Sequence, residues 1–305
     1  MIHLLHCPQM TPLARRIAEG RPNIRLGAVS WQSFRDGFPA LCIEDAKSLR
    51  HRDVVFLASL DEPGEIFRQL SVVFEIPRLV ARSLTVLLPF FPVGTMERVD
   101  REGQVATAST LARMISLTPF TRSGPTQLVI FDIHALQERF YFTDAVIPRL
   151  ETAIPLLRER LREYPNAAIA FPDEGAQKRF GGMFPDRHII LCHKTRRGDT
   201  REVTIREGNP NGRHVVIVDD LVMTGGTLLQ SAEALRASGA CQVSAYVTHG
   251  VFPDQTWTRF TDAGFHRFWL TDSCPKTVDA VQGREPFELL SLGNMIAGLL
   301  DEEMC

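Results

Sequence analysis

Two aspartates, Asp219 and Asp220, follow the apolar run Val215–Val218 and lead into Leu-Val-Met-Thr-Gly-Gly-Thr, residues 221–227. The run reads as a buried strand, and in open parallel sheets ligands bind beyond the carboxyl ends of the strands. Gly225 and Gly226 let the backbone adopt positive φ and approach a ligand closely. The N–H groups of Met223, Thr224, Gly225, Gly226 and Thr227 then face an anion at a helix entry, and Thr224 and Thr227 add hydroxyl donors. Two carboxylates beside a phosphate cradle suit a sugar phosphate. The loop takes the phosphate, and the carboxylates take either the sugar hydroxyls or a divalent cation. An Asp-capped turn shortened by two glycines is the plainer reading, but doubled acid, buried strand and Gly-Gly-Thr helix entry together favour a ligand site.

Other candidates lie at similar places. Lys194 and Arg196, followed by Arg197, sit just past the run His188–Cys192. Cations on a closing loop stabilise charge developing on phosphoryl oxygens, although a charge run is more often a solvated face. Asp132 and His134 fall at a predicted strand end, and Asp173 follows the run Ala168–Phe171. A carboxylate suits Mg²⁺ better than an imidazole does; Asp173 also reads as a turn residue after Pro172. Phe34-Arg35-Asp36-Gly37 is either a plain type I turn or an aromatic face able to stack on a base.

The elements that must position these residues follow from the pattern of apolar runs. Strands are predicted at Val54–Ala58, Thr85–Pro89, Gln127–Asp132, Ala168–Phe171, His188–Cys192, Val215–Val218, Ser244–Thr248 and Phe268–Thr271. They lack polar alternation, which implies burial on both faces. Helices are predicted at Glu65–Arg82, Ala106–Leu117, Arg149–Glu163, Leu228–Ser238 and Met295–Leu300. Strand–helix–strand alternation implies an α/β fold, each half a mostly parallel sheet flanked by helices. The expected division is residues 1–148 and 149–305. Residues 198–212, charged and ending in Asn-Pro-Asn-Gly, read as a mobile loop with a short hairpin in its middle.

The chain has 305 residues, 44% hydrophobic and 23% charged, with a net charge of −2. That charge argues against a broad nucleic-acid footprint. No apolar run approaches the length of a membrane span. Six dispersed cysteines without a Cys-x-x-Cys pair point away from zinc or redox chemistry and toward a reducing, cytoplasmic setting.

The Asp219–Thr227 stretch resembles the phosphoribosyl-diphosphate (PRPP) motif of the type I phosphoribosyltransferase family. FDIHALQERFYF at 131–142, FPDEGAQKRF at 171–180 and VTHGVF at 247–252 resemble ribose-phosphate pyrophosphokinases, also called PRPP synthetases. FPVGTMERVDREGQVATASTLA at 91–112 resembles the divergent lineage of that family known from plants. The resemblance runs from about Ser33 onward.

It implies two similar type I phosphoribosyltransferase-like domains and a reaction of ATP with ribose 5-phosphate that gives PRPP and AMP, with Mg²⁺. By this resemblance Lys194 and Arg196 are catalytic, and Asp219, Asp220 and the 223–227 loop bind ribose 5-phosphate. Phe34, Asp36, Arg98 and His134 bind ATP, and His134 and Asp173 lie at the metal. Phe34 and Asp36 would serve a neighbouring subunit, so a homo-oligomer is expected. The loop after Phe91 departs from the family's common Arg-Gln-Asp-Arg run, which puts base selectivity in question; the divergent lineage implies lower dependence on phosphate and broader nucleotide use. The first half lacks an Asp-Asp loop, so one sugar-phosphate site per chain is expected, with ATP near the junction of the halves. The rival readings are a PRPP-consuming phosphoribosyltransferase and a non-catalytic regulatory protein on the same fold.

Overall fold

Alternating apolar runs and helical segments resolve, in the computed structural model, into two compact units. One comprises Met1–Glu151 with the segment from Leu292 onward, and the other Thr152–Ser291. The structure describes residues 1–96, 99–197 and 200–302, with the backbone alone over 194–197 and 200–202.

The first unit contains β1 (Ile2–His6), α1 (Thr11–Ala18), β2 (Ile24–Leu26), β3 (Val29–Ser33), β4 (Pro39–Ile43), β5 (Asp53–Leu57), α2 (Pro63–Arg78), β6 (Ser83–Leu87), α3 (Thr107–Ile115), β7 (Thr126–Phe131) and β8 (Val146–Glu151). Six strands form a parallel sheet in the order β2-β1-β5-β6-β7-β8, and β3 and β4 form a separate antiparallel hairpin. Val54, Phe56, Leu84, Val86, Leu128 and Ile130 turn one face of the sheet into a core with residues of α2 and α3. Each fully buried side chain of this size contributes about 1.5–3 kcal/mol.

The second unit contains α4 (Ile154–Arg160), β9 (Ala168–Phe171), α5 (Glu174–Phe180), β10 (Ile189–Arg197), β11 (Thr200–Glu207), β12 (His214–Val222), α6 (Gly226–Ala237), β13 (Gln242–Gly250), β14 (Phe268–Thr271), α7 (Pro275–Val281) and β15 (Phe287–Leu290). Its sheet runs β11-β10-β9-β12-β13-β14-β15, parallel except for the antiparallel β10–β11 pair. Period-two geometry divides each strand between two cores. Val215, Ile217, Ala245 and Phe268 pack with Leu228, Ala232 and Leu235 of α6. Val216, Val218, Tyr246 and Trp269 pack with Leu157 of α4 and Phe180 of α5.

Several boundaries differ from the sequence reading. The helix expected over 149–163 is the end of β8 followed by α4. Residues 146–151 pair with β7, and Pro155 stands in the first turn of the helix, where a missing N–H costs nothing. The hairpin expected inside 198–212 is longer and begins earlier: β10 runs to Arg197 and pairs with β11, Lys194 opposite Val203 and Arg196 opposite Arg201. The last helix, α8 (Gly293–Glu302), belongs to the first unit rather than to the half that precedes it. Asp301 accepts a hydrogen bond from Asn23 Nδ2 at 2.8 Å and pairs with Arg21.

Candidate active site

The sheet of the second unit has one point where its winding reverses. From β9 the chain crosses through α5 to β10 on one side; from β12 it crosses through α6 to β13 on the other. The crevice between the carboxyl ends of β9 and β12 is therefore the ligand position for such a sheet. β12 also outruns its neighbour, because its last pair with β9 is Ile217 with Ala170, while its pairing with β13 continues to Val222. Asp219 and Asp220 lie on that overhang, and Asp173 lies two residues beyond β9.

Asp173 caps α5, accepting the Ala176 N–H at 3.0 Å, which is the turn reading of this residue. Asp220 is buried, at 7% exposure. Its Oδ1 accepts the Leu221 N–H at 2.8 Å, and its Oδ2 lies 3.5 Å from Arg179 Nη1 of α5. The Arg179 guanidinium in turn lies 4.9 Å from the centroid of the Phe180 ring. Asp219 accepts the Asp220 N–H at 3.0 Å. Burial pushes the Asp219 carboxyl well above the usual carboxylate range, and the negative charges of Asp220 and Asp173 push the same way. The crevice thus gathers three acids, of which Asp220 pairs with Arg179.

Of the two glycines expected to take positive φ, Gly225 does, and Gly226, the first residue of α6, does not. Gly225 has φ +79° and stands at the N-cap of α6. A Cβ there would lie 2.2 Å from Phe260 Cζ, whereas one at Gly226 would meet nothing within 4 Å. Asp219, Met223, Thr224, Gly225, Gly226 and Thr227 line a cavity of about 290 Å³. On the far side of the crevice, Arg206 of β11 donates to Glu174 of α5, which ties the base of the β10–β11 hairpin to the helix capped by Asp173.

Lys194 and Arg196 are placed by their backbone on β10; their side chains lie outside the described residues. So does the whole of Arg98. In the first unit, His134 is exposed on the turn after β7, a turn set by the left-handed φ of +37° at buried Asp132. Phe34 and Asp36 form the tip of the β3–β4 hairpin. Gly37 N–H donates to the Phe34 carbonyl and Phe38 N–H to Asp36 Oδ1, and Phe34 and Phe38 are 63% and 65% exposed. The type I turn reading is therefore local geometry that leaves both rings available.

Sequence reasoning passed over Arg179, Thr256, Arg259 and Phe260. Arg179 sits in the quoted 171–180 stretch, but only the fold brings it to Asp220. Among the described residues, no group of three or more His, Cys, Asp or Glu side chains is arranged to hold a metal ion.

The model of the "N-terminal domain of ribose phosphate pyrophosphokinase" matches residues 2–118, and that of the "Phosphoribosyl transferase domain" matches 142–260. The likeness therefore begins at residue 2 rather than near Ser33. The chain is 53% identical over 309 residues to ribose-phosphate pyrophosphokinase 4 of Oryza sativa subsp. japonica, covering 98% of this chain and 95% of the relative. It is 51% identical to ribose-phosphate pyrophosphokinase 4 of Arabidopsis thaliana, covering 98% and 91%. The ribose-phosphate pyrophosphokinase of Rhizobium meliloti (strain 1021) is 29% identical, covering 92% and 91%. Among solved structures, the phosphoribosylpyrophosphate synthetase of Mycobacterium smegmatis shares the fold, with a TM-score of 0.84 at 22% identity over 99% of this chain and 98% of the other. A switch-point crevice ending in Asp-Asp and a glycine loop, together with half-identical relatives matched along nearly their whole length, leads to one conclusion: the chain belongs to the ribose-phosphate pyrophosphokinase family.

Proposed function

We infer that the protein transfers the diphosphoryl group of ATP to the C1 hydroxyl of ribose 5-phosphate, giving PRPP, the activated ribose of nucleotide biosynthesis, and AMP. The observation that carries this reading is the crevice between β9 and β12, where Asp219 lines one cavity with the cradle of residues 223–227 and Asp220 follows it on the β12 overhang. The cradle takes the 5-phosphate, and the carboxylates take the ring hydroxyls. The anomeric oxygen bonds to the β-phosphorus while the bond from that phosphorus to the α–β bridging oxygen breaks, and AMP leaves. Such a transfer needs positioning and charge neutralisation more than a covalent nucleophile. Lys194 and Arg196, carried on β10, are the cations assigned to the transferred group.

ATP is assigned to Phe34 and Asp36 of a neighbouring subunit, with Arg98 and His134. Two exposed phenylalanine rings on one hairpin tip support that assignment, which requires a homo-oligomer. Magnesium fits the acids present: it meets one or two carboxylates and completes its shell with water and phosphate oxygens, and the crowded charges of Asp219, Asp220 and Asp173 are of the kind a divalent cation relieves. Asp173 and His134 are the residues assigned to it; once bound, the ion would neutralise phosphoryl charge.

Relatives at 50–53% identity are plant proteins and the bacterial ones lie at 29–30%, which supports the divergent lineage and hence turnover without added phosphate. No helix among the described residues is long and apolar enough to cross a membrane. Relatives named chloroplastic and mitochondrial exist, and the cytoplasm is our proposal for this chain.

Phosphorus NMR of the protein with ATP, ribose 5-phosphate and Mg²⁺, first without and then with inorganic phosphate, tests the reading. AMP and PRPP should form in equal amounts. Product only after phosphate is added would remove the lineage inference, and silence in both tubes would favour a non-catalytic protein on this fold. Lys194→Ala should cut turnover by about 10²–10³ while sugar-phosphate affinity holds; equal turnover would take Lys194 out of the mechanism.

A further inference from the structure

The segment after β13 holds more strained backbone than a connector needs. Phe252, Asp254 and Gln255 have φ of +46°, +53° and +59°, values that non-glycine residues keep only where the surroundings enforce them. The enforcement is aromatic. Phe252 and Phe260 are buried with ring centroids 5.5 Å apart, and they pack on Phe268 of β14 at 6.1 and 4.9 Å. From this anchored segment two side chains reach the glycine loop. Thr256 Oγ1 donates to the Met223 carbonyl at 3.0 Å, and Arg259 Nη1 donates to the Thr224 carbonyl at 2.6 Å.

A trans peptide unit points its C=O and N–H in opposite directions. The Met223 carbonyl shares its unit with the Thr224 N–H, and the Thr224 carbonyl shares its unit with the Gly225 N–H. Holding both carbonyls toward residues 256 and 259 therefore turns both N–H groups away from that segment. The Phe260 ring occupies the space beside Gly225 where a Cβ would stand, so segment 253–260 closes one flank of the loop. The cavity is lined by Met223, Thr224 and Gly225 themselves.

We propose that Arg259 and Thr256 are positioning residues for phosphate recognition: they clamp two loop carbonyls so that Thr224 and Gly225 present their N–H groups to the 5-phosphate of the sugar phosphate. This rests on the reading of the crevice as a sugar-phosphate site. Neither side chain has to touch the phosphate. The clamp sets the loop in its binding conformation beforehand, so that less ordering cost falls on association.

The test is titration calorimetry of the full-length protein with ribose 5-phosphate and, separately, with Mg-ATP, for wild type, R259M, R259K and T256V. Arg259 is exposed, so its replacements keep the fold, and thermal melts of all four proteins check this. R259M should weaken ribose 5-phosphate binding about tenfold, and T256V by about three- to tenfold. R259K, which still donates to one carbonyl, should lie between R259M and wild type. Mg-ATP binding should stay within twofold in every variant. An R259M protein that binds ribose 5-phosphate like wild type would overturn the clamp and leave the enzymatic reading standing. Equal weakening toward both ligands with a lowered melting temperature would show a merely structural role and also overturn it. A wild type that binds ribose 5-phosphate yet forms no PRPP would sink the enzymatic reading while the variants still decide the clamp.

Discussion

Arg179 Nη1 stands 3.5 Å from Asp220 Oδ2, with the two side chains only 15% and 9% exposed. The pair joins the helix behind Asp173 to the end of β12, across the crevice where the sheet reverses its winding. Removing the cation leaves a buried carboxylate beside another acid. Arg179→Met should therefore destabilise the protein by about 1–3 kcal/mol and raise the KM for ribose 5-phosphate. Chemical denaturation and initial-rate kinetics check both, and an unchanged KM would confine Arg179 to stability.

Asp173 caps α5 and is proposed to meet the metal, two roles that substitution can separate. Asparagine caps helices about as well as aspartate does, whereas alanine loses about 1 kcal/mol. Asp173→Asn should keep the thermal midpoint and lose activity, and Asp173→Ala should lose both. If Asp173→Asn turns over like wild type, its carboxylate charge plays no part in the site.

Gly225 and Gly226 are adjacent but not equivalent. At Gly225 any side chain meets positive φ and the Phe260 ring, a strain of about 1–3 kcal/mol. Gly225→Ala should lower the melting temperature and weaken ribose 5-phosphate binding at least tenfold. Gly226→Ala, with open space for its methyl, should melt no lower than wild type. Equal melting of the two variants would refute this account of the loop.

His214 supplies a pH dependence away from the site. Its ring lies edge-on to Tyr164 and His266, with centroids 5.0 and 5.3 Å away, and its Nε2 is 2.9 Å from Ser244 Oγ. Burial, and then the charge of His266, pulls it down to about 4. The unfolded chain takes up this proton near pH 6.5 and the folded one only near pH 4. Stability is thus intact above about 6.5 and falls as the pH drops from there to about 4. Partial exposure screens the effect to about 1–2 kcal/mol. Urea midpoints at pH 7 and pH 4.5 should converge in His214→Gln relative to wild type; an undiminished gap would assign the acid loss to other groups.

Much of this was legible in the residues. Ala168–Phe171 and Phe268–Thr271 are strands at the expected limits, because short apolar runs between breakers leave little choice. The Asp219–Thr227 loop was legible because its chemistry is contiguous. What lay beyond the sequence is whatever depends on register. Pro148 and Arg149 gave no strand signal, and β8 exists because β7 offers an edge. Arg179, Thr256 and Arg259 matter through partners 33 to 41 positions away, at distances that local patterns do not encode.

The return of α8 to the first unit makes residues 152–291 an insertion within a discontinuous domain. During synthesis the inserted unit, with its crevice, glycine loop and clamp, is fully available for folding before the host unit has received its last helix. The half that holds the β9–β12 crevice can thus be finished while the other still waits for its closing element.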